Sequence, residues 1–297
     1  MMGYIYMALV LAAWSTIGFV YRHAGKKQVS IYLLSSVLGL TTFVLNGIVT
    51  LASGVDITQA YTGGYWFGAM VGVINVAYMP AFLGAVTRGD LSITWTVATL
   101  SFALGSAMSI IYPGEQPTAW GVAGLLTAGA AIVLLGVDMF QRNKGEATQG
   151  TQKGWGICMA IAFILSALNL WGFTLASHFA PDNTAPHKAA FLLMSGASFG
   201  VGSAILALIL KPSGPKKLAV HLGLVAGVLV FSGWYFTLLA LNNASIPAHV
   251  LYPATTGGSN IFVVAISVLV LKERPGLYGW IGLGIGLLAI AILGIAA

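Results

Sequence analysis

Long apolar segments recur along the whole chain and are separated by short polar stretches. Each segment is close to the ~20 residues that an α-helix needs to cross the hydrocarbon core of a bilayer. The pattern predicts membrane spans at about 3–21, 30–52, 63–87, 91–111, 118–138, 154–177, 188–210, 218–242, 246–271 and 276–296. We therefore expect an all-α polytopic membrane protein with ten transmembrane helices.

The composition excludes a water-soluble fold. Of the 297 residues 58% are hydrophobic and only 7% are charged, which is more apolar surface than a soluble domain can bury. The single cysteine, Cys158, lies within an apolar segment, so a disulfide within the chain is excluded and a buried structural thiol is expected. The first segment lacks a basic leader region and a cleavage site, so we expect it to remain as a span.

The two halves of the chain share a repeated motif. Glu115, Pro117 and Gly124 recur 158 residues later as Glu273, Pro275 and Gly282. The match predicts a first five-helix repeat at 1–140, a cytoplasmic linker at 141–153 and a second five-helix repeat at 154–297. Because each repeat has an odd number of spans, the second would be inverted in the membrane relative to the first.

The basic residues predict the orientation. Twelve of the thirteen lysines and arginines fall on odd-numbered connections between the predicted spans, and Lys188 is the exception. By the positive-inside rule these connections are cytoplasmic, which places both termini on the outer side of the cell (inner) membrane. The positive net charge thus indicates topology, and no nucleic-acid partner is expected.

Polar side chains form a stripe along the ninth predicted span. His249, Tyr252, Thr256, Asn260 and Ser267 lie on one helical face, together with Pro253 and a Gly-Gly pair that weaken regular helix. Polar groups are costly in hydrocarbon, so the stripe is expected to line a cavity, with interhelical hydrogen bonding as the alternative. A second stripe, on the second span, comprises Ser35, Thr42, Asn46 and Thr50.

Other spans add polar and aromatic side chains to this picture. Tryptophans lie inside the spans at Trp14, Trp95, Trp171 and Trp234. The candidate substrate-binding residues are Trp14, Asn75, Tyr78, Trp95, Ser166, Asn169, Tyr235, His249, Tyr252, Thr256 and Asn260. No Asp, Glu, Lys or Arg lies mid-span, which favours a neutral or zwitterionic solute over a strongly anionic one. His249 is the one deep group suited to proton coupling.

The remaining motifs are expected to be structural. Each Glu-x-Pro places a carboxylate just before a helix whose first turn begins at proline, where the helix dipole favours negative charge. Glycines spaced by four residues permit close helix packing, either within the chain or in a homodimer. His178, Asp182 and His187 match no metal-binding spacing, so no metal and no cofactor are expected.

These residues resemble the drug/metabolite transporter (DMT) superfamily, in its ten-helix form with two EamA-type repeats. The resemblance covers the whole chain and is carried by Ala13-Trp14-Ser15 followed by Arg22, and by the two Glu-to-Gly junctions. Tyr252 to Gly257 is also similar to a motif of the four-helix small multidrug resistance relatives, although Thr255 replaces their tryptophan and their first-helix glutamate is missing near Trp14. The segment from Pro253 to Gly257 also looks like the sugar-uptake branch.

The resemblance implies a central cavity between the halves, formed mainly by the first, third, fourth, sixth, eighth and ninth helices, with alternating access. Family members commonly have cytoplasmic termini, whereas the charges of this chain favour outside termini. We expect a non-enzymatic secondary transporter, an exporter or facilitator of a small neutral, zwitterionic or amphiphilic metabolite such as an amino acid, acting as a monomer or homodimer. The alternatives are a sugar-uptake or multidrug transporter, an intramembrane enzyme acting on lipid-linked substrates, and a structural subunit.

Overall fold

The computed structural model describes residues 2–112, 118–145, 154–178, 185–210, 214–243, 255 and 258–296. Within these residues the regular structure is helical. A short 3₁₀ turn, Ile57–Gln59, precedes the third helix. The α-helices are α1 (Met2–Lys26), α2 (Ile31–Ala52), α3 (Thr62–Arg88), α4 (Leu91–Ile111), α5 (Ala119–Gly145), α6 (Trp155–His178), α7 (Ala185–Leu210), α8 (Lys216–Asn243), α9 (Gly258–Leu269) and α10 (Leu277–Ala296).

Seven of these helices are long and apolar enough to cross a membrane: α1, α2, α3, α5, α6, α7 and α8. Shorter apolar stretches of the described residues lie at Leu91–Gly105, Gly258–Leu269 and Leu277–Ile292. The all-α fold of the described residues is thus confirmed, and the seven long apolar helices indicate a multi-pass membrane protein. Much of the ninth predicted span lies outside the described residues, and the count of ten spans stays a prediction.

Helices α1 and α5 extend furthest beyond the C-terminal ends that hydropathy predicts. Helix α1 continues to Lys26, so Arg22 is helical, and α5 continues to Gly145, through the first five residues of the predicted linker. Hydropathy marks where hydrocarbon ends, whereas helical hydrogen bonding continues through polar residues such as Gln141 and Lys144, which are good helix formers. Residues 146–153 of the predicted linker lie outside the described part.

The most extensive helix contacts join the first half of the chain to the second. Helix α5 packs on α10, α2 on α7 and α8, α3 on α6 and α7, α1 on α8 and α9, and α4 on α6 and α9. Contacts between helices of the same half, such as α1 with α3 and α4 with α5, are smaller. The buried core therefore lies between the halves.

Glycines permit the closest of these contacts. A β-carbon on Gly68 of α3 would lie 2.5 Å from the Phe191 carbonyl oxygen of α7, and one on Gly223 of α8 would lie 2.8 Å from the Leu34 carbonyl oxygen of α2. One on Gly282 of α10 would lie 2.9 Å from Leu135 Cγ of α5. Packing within the chain is thus confirmed as a role of these glycine spacings.

Candidate functional site

Helices α1, α4 and α9 meet at Gly18. A β-carbon on Gly18 would lie 3.2 Å from Trp95 Cζ3 of α4 and 3.5 Å from Val263 Cγ2 of α9. The absence of a side chain at Gly18 therefore lets the indole of Trp95 and the α9 backbone approach α1 together. We call this place the three-helix junction, defined by Ser15, Gly18, Trp95, Thr96, Asn260 and Val263.

Asn260 is the polar centre of the junction. It is fully buried, and its Oδ1 lies 2.9 Å from Thr96 Oγ1, which also lies 2.8 Å from the Ser92 carbonyl oxygen. The single hydroxyl proton of Thr96 can serve only one strong bond, and the amide of Asn260 can adopt either orientation. In both orientations one polar atom of the Asn260 amide faces the junction without a partner among the described residues.

Two further buried polar atoms near the junction lack a partner in the described part of the chain: Ser15 Oγ, and Trp95 Nε1, which is on the opposite edge of the indole from the one that faces Gly18. Ser15 lies three residues before Gly18, on the same side of α1. Buried polar groups in native proteins are nearly always hydrogen-bonded, so such a cluster calls for an explanation. Helices α1, α4 and α9 thus each carry, near Gly18, a buried polar atom without a partner among the described residues.

Aromatic rings border the junction. Trp95 packs edge-on against Phe82 of α3 with a centroid distance of 5.9 Å, and Tyr78 stacks on Phe82 at 5.3 Å. On α1, Trp14 packs edge-on against Trp234 of α8 at 5.7 Å, and Trp234 stacks on Phe173 of α6 at 4.3 Å. Trp14 and Gly18 are one helical turn apart, so the two aromatic groups flank the same face of α1.

The structure therefore brings together Trp14, Tyr78, Trp95 and Asn260 of the predicted set, around α1. Ser166 lies on the other side of α4, where its hydroxyl accepts a 2.7 Å hydrogen bond from Ser101. Asn75 donates to the Val71 carbonyl oxygen of its own helix, at 3.0 Å, and Asn169 is half-buried on α6.

Tyr235 contacts a different set of rings. It stacks on Phe231 of its own helix at 5.4 Å, whereas the neighbouring Trp234 faces Trp14. Residues one position apart point about 100° away from each other on a helix, so Trp234 and Tyr235 contact different neighbours. His249, Tyr252, Thr256, Glu115 and Pro117 lie outside the described residues.

Polar stripes elsewhere serve helix packing. The Ser35, Thr42, Asn46 and Thr50 side of α2 is buried. Thr42 Oγ1 lies 3.0 Å from the Leu38 carbonyl oxygen and 3.4 Å from that of Gly227 on α8.

His187 is buried, with Nε2 2.9 Å from the Ala176 carbonyl oxygen. Trp171 Nε1 donates to the Tyr112 carbonyl oxygen at 2.8 Å.

Glu273 forms a buried polar cluster that the sequence did not predict. Its carboxylate accepts hydrogen bonds from the Leu91 amide at 2.8 Å, the Ser92 amide at 3.0 Å and the Ser92 hydroxyl at 2.8 Å. The motif predicted that Glu273 serves the helix that follows it, α10. The structure corrects this, because Glu273 caps α4 instead. Its side chain is only 4% exposed.

Arg22 joins this cluster from α1. Its Nη2 lies 3.7 Å from Glu273 Oε1, and its Nη1 donates to the carbonyl oxygens of Val86 and, at 2.9 Å, of Gly89. The guanidinium thus binds both the carboxylate and the last turn of α3, where the helix dipole favours a cation. Arg22, Glu273 and the first turn of α4 form what we call the Glu273 cluster.

A second carboxylate makes a similar link nearby. Asp138 of α5 is buried and accepts a 3.1 Å hydrogen bond from the Gly276 amide, just before α10.

The Glu273 cluster and Asp138 border one cavity of about 790 Å³, open to solvent, whose wall also includes Asp90, Gln141, Lys272, Arg274 and Tyr278. A smaller apolar cavity of about 270 Å³ lies between α4, α5 and α6. Neither cavity is lined by a predicted substrate-binding residue.

No protein-family model and no curated protein matches this chain. Among the solved structures similar to it is a crystal structure of a protein that is 18% identical, with a TM-score of 0.60. The match covers 98% of this chain and 96% of the other chain. The two therefore share a fold over their whole length, and at this identity the likeness extends no further than the fold.

Proposed function

We propose that this protein is a secondary transporter, an exporter or facilitator, of a small neutral, zwitterionic or amphiphilic metabolite such as an amino acid. The observation that carries the proposal is the set of buried polar groups around the three-helix junction that have no partner among the described residues: Ser15 Oγ, Trp95 Nε1 and the Asn260 amide. A membrane protein that needed only packing would gain by replacing them with apolar groups. A transported solute would supply the missing hydrogen bonds.

The lining of the junction favours this substrate class. Trp95 Nε1 can only donate, so the solute must carry an acceptor, while Ser15 and Asn260 can bind either a donor or an acceptor. The flanking rings of Trp14, Tyr78 and Phe82 suit an apolar part of the solute. The described residues of the junction carry no charge, which disfavours a solute with a large unbalanced charge.

The pattern of helix contacts supports the inverted repeats of the DMT superfamily. Exchanging each of the first five helices with the helix five places later turns α3–α6 into α8–α1, α3–α7 into α8–α2, and α4–α6 into α9–α1. The α2–α7, α4–α9 and α5–α10 contacts map onto themselves. Such an exchange is expected of two copies related by a twofold axis in the membrane plane, the arrangement that allows alternating access.

The proposed orientation follows from contacts among the odd-numbered connections. Gln28 lies against Gly214, Arg22 binds Gly89, Gly89 lies against Trp155, and Asp138 binds Gly276, so these connections meet at one face. In the sequence, twelve of the thirteen lysines and arginines fall on the odd-numbered connections. We assign it to the cytoplasm of the cell (inner) membrane, with both termini outside.

The test is solute binding and flux by the purified protein in vesicles. A panel of neutral, zwitterionic and amphiphilic metabolites is first screened for thermal stabilisation, because a ligand that binds only the folded state raises its stability. The stabilising solute is then used in flux measurements. Asn260→Ala and Trp95→Phe should each lower its flux about tenfold, the effect of losing 1–2 kcal/mol of polar contact.

Two variants serve as matched controls. Asn46 is also a buried asparagine, but its amide donates to the Thr42 carbonyl oxygen of its own helix at 2.8 Å, so Asn46→Ala should keep flux within about twofold. Trp66 is 72% exposed on α3, and Trp66→Phe should have no effect on flux. Saturable flux that survives both Asn260→Ala and Trp95→Phe would remove the junction as the binding site.

A further inference from the structure

The Glu273 cluster fastens the two halves of the protein at one face. Glu273 belongs to the α9–α10 connection of the second half, whereas its partners Leu91, Ser92 and Arg22 belong to the first half. Along the sequence, Ser92 is 181 residues and Leu91 is 182 residues away from Glu273. Separation of the halves at this face must break these bonds.

The backbone before Glu273 is held in place while the carboxylate binds α4. Helix α9 ends at Leu269; three residues later Lys272 is in the left-handed region, at φ 56°, and the Glu273 amide donates to the Ser267 carbonyl oxygen at 3.1 Å. This hydrogen bond ties the Glu273 backbone to the last turn of α9. Glu273 is thereby fixed on α9 through its backbone while its side chain binds α4.

Glu273 and Asn260 hold α4 at two successive turns. Ser92 and Thr96 are four residues apart on α4, so they share a face, and they bind Glu273 and Asn260 respectively. The capping of the first turn by Glu273 therefore also sets the position of Thr96 and Trp95 at the three-helix junction. Asp138 adds a second link between the halves at the same face, through the Gly276 amide.

We propose that Glu273 is a positioning residue and the latch of this face: its bonds to the first turn of α4 keep the halves closed there, and their release opens the path from the 790 Å³ cavity toward the junction. This proposal rests on the proposed alternating access for its role in transport. The latch itself is a statement about accessibility and is tested without any solute.

The first measurement is hydrogen exchange of the amides that Glu273 caps. Glu273→Ala should speed exchange at Leu91 and Ser92 by about tenfold or more, as expected when hydrogen bonds to a charged group are lost. Glu273→Gln keeps one acceptor oxygen and should give an intermediate rate. The Leu33 amide, capped by Ser30 Oγ on α2, is the matched control and should keep its rate.

The second measurement is the reactivity of a buried thiol behind the latch. The test variant is Ile93→Cys in a Cys158→Ala background, because Ile93 is fully buried in the first turn of α4. The control variant is Ala219→Cys in the same background, because Ala219 is equally buried in the first turn of α8. In vesicles, Glu273→Ala should raise the rate of maleimide labelling at position 93 about tenfold and leave position 219 unchanged.

Three outcomes would overturn the latch. Unchanged labelling at position 93 means that Glu273 does not close this face, and equal acceleration at positions 93 and 219 means general loosening of the fold. Equal effects of Glu273→Gln and Glu273→Ala on the Leu91 and Ser92 amides would also contradict the assigned hydrogen bonds. Accelerated labelling at position 93 alone, in a protein that shows no solute flux, would support the latch while rejecting the transport function.

Discussion

Gly39 of α2 and Gly200 of α7 lie backbone against backbone. A β-carbon on Gly39 would lie 2.5 Å from the Gly200 nitrogen, and one on Gly200 would lie 2.7 Å from the Leu40 nitrogen. Backbone atoms cannot move aside as flexible side chains do, so this contact fixes how closely α2 and α7 approach. It lies on one of the contacts that join the two halves.

Gly39→Ala and Gly200→Ala should each lower the free energy of unfolding by about 1–3 kcal/mol, the usual cost of overpacking. Gly129→Ala is the control, because no atom lies within 4 Å of a β-carbon at that position of α5. It should leave the stability unchanged or raise it by up to ~1 kcal/mol through helix propensity. Equilibrium unfolding in detergent measures all three, and a harmless Gly39→Ala would contradict the close approach.

Asp138→Ala should remove the cap of α10 and lower the free energy of unfolding by about 1.5–3 kcal/mol, since a buried hydrogen bond to a charged group is lost. Asp138→Asn keeps an acceptor and should cost less. Asp56→Ala provides a matched control, because Asp56 also caps a helical turn but at an exposed position, and it should cost ~1 kcal/mol or less. Equal losses for Asp138→Ala and Asp56→Ala would rule out a special role for the buried cap.

Lys272→Gly should raise the free energy of unfolding by about 0.5–1 kcal/mol, because a left-handed backbone conformation is costly for lysine and free for glycine. Gln28 has a φ of 50° at the end of α1, so Gln28→Gly should behave in the same way. Lys27→Gly, next to it but without a positive φ, should bring no gain. Thermal unfolding of the three variants in one detergent measures these changes. A destabilised Lys272→Gly would contradict the left-handed backbone conformation of Lys272.

Asp56 should titrate below the ordinary range of an aspartate. The hydroxyl and then the amide of Thr58 donate to its carboxylate and lower its pKa, and Gln59 adds a smaller contribution. Because the folded-state pKa is depressed, the stabilisation is present above the pKa of the unfolded chain and is lost as the pH falls through the folded value.

The carboxyl resonances of the four aspartates, labelled with ¹³C, can be followed against pH. Thr58→Ala should raise the pKa of Asp56 toward its ordinary value, and Gln59→Ala should raise it less. The order of the two variants is the critical result. A larger effect of Gln59→Ala would show that Thr58 is not the main cause.

The helices were predictable because each apolar segment can be recognised from its own residues, without knowledge of its partners in the fold. For α4 even the predicted bounds agree with the structure. The close helix packing was also predictable from the glycine spacings, because a small residue at every fourth position lets another helix approach closely whichever helix it is. For Trp14, Trp95 and Asn260 the sequence indicated polar or aromatic groups inside spans. The structure places them around α1.

The partner of Glu273 was not predictable in the same way. Sequence shows that a carboxylate precedes α10, but the tertiary fold decides which helix end it meets, and here the carboxylate accepts from two amides of α4. Thr96 was also missed, because threonine within a helix commonly bonds its own backbone and gives no sign of a second partner.

The concentration of helix contacts between the two halves has a consequence for biosynthesis. Helices α2, α3 and α5 find their main partners in α6, α7, α8 and α10, which are made later. We therefore expect the first five segments to insert into the bilayer as separate, loosely associated helices and to pack only after the second half of the chain has been synthesised. Halves produced as two polypeptides in one cell should assemble with each other, while either one alone should be degraded.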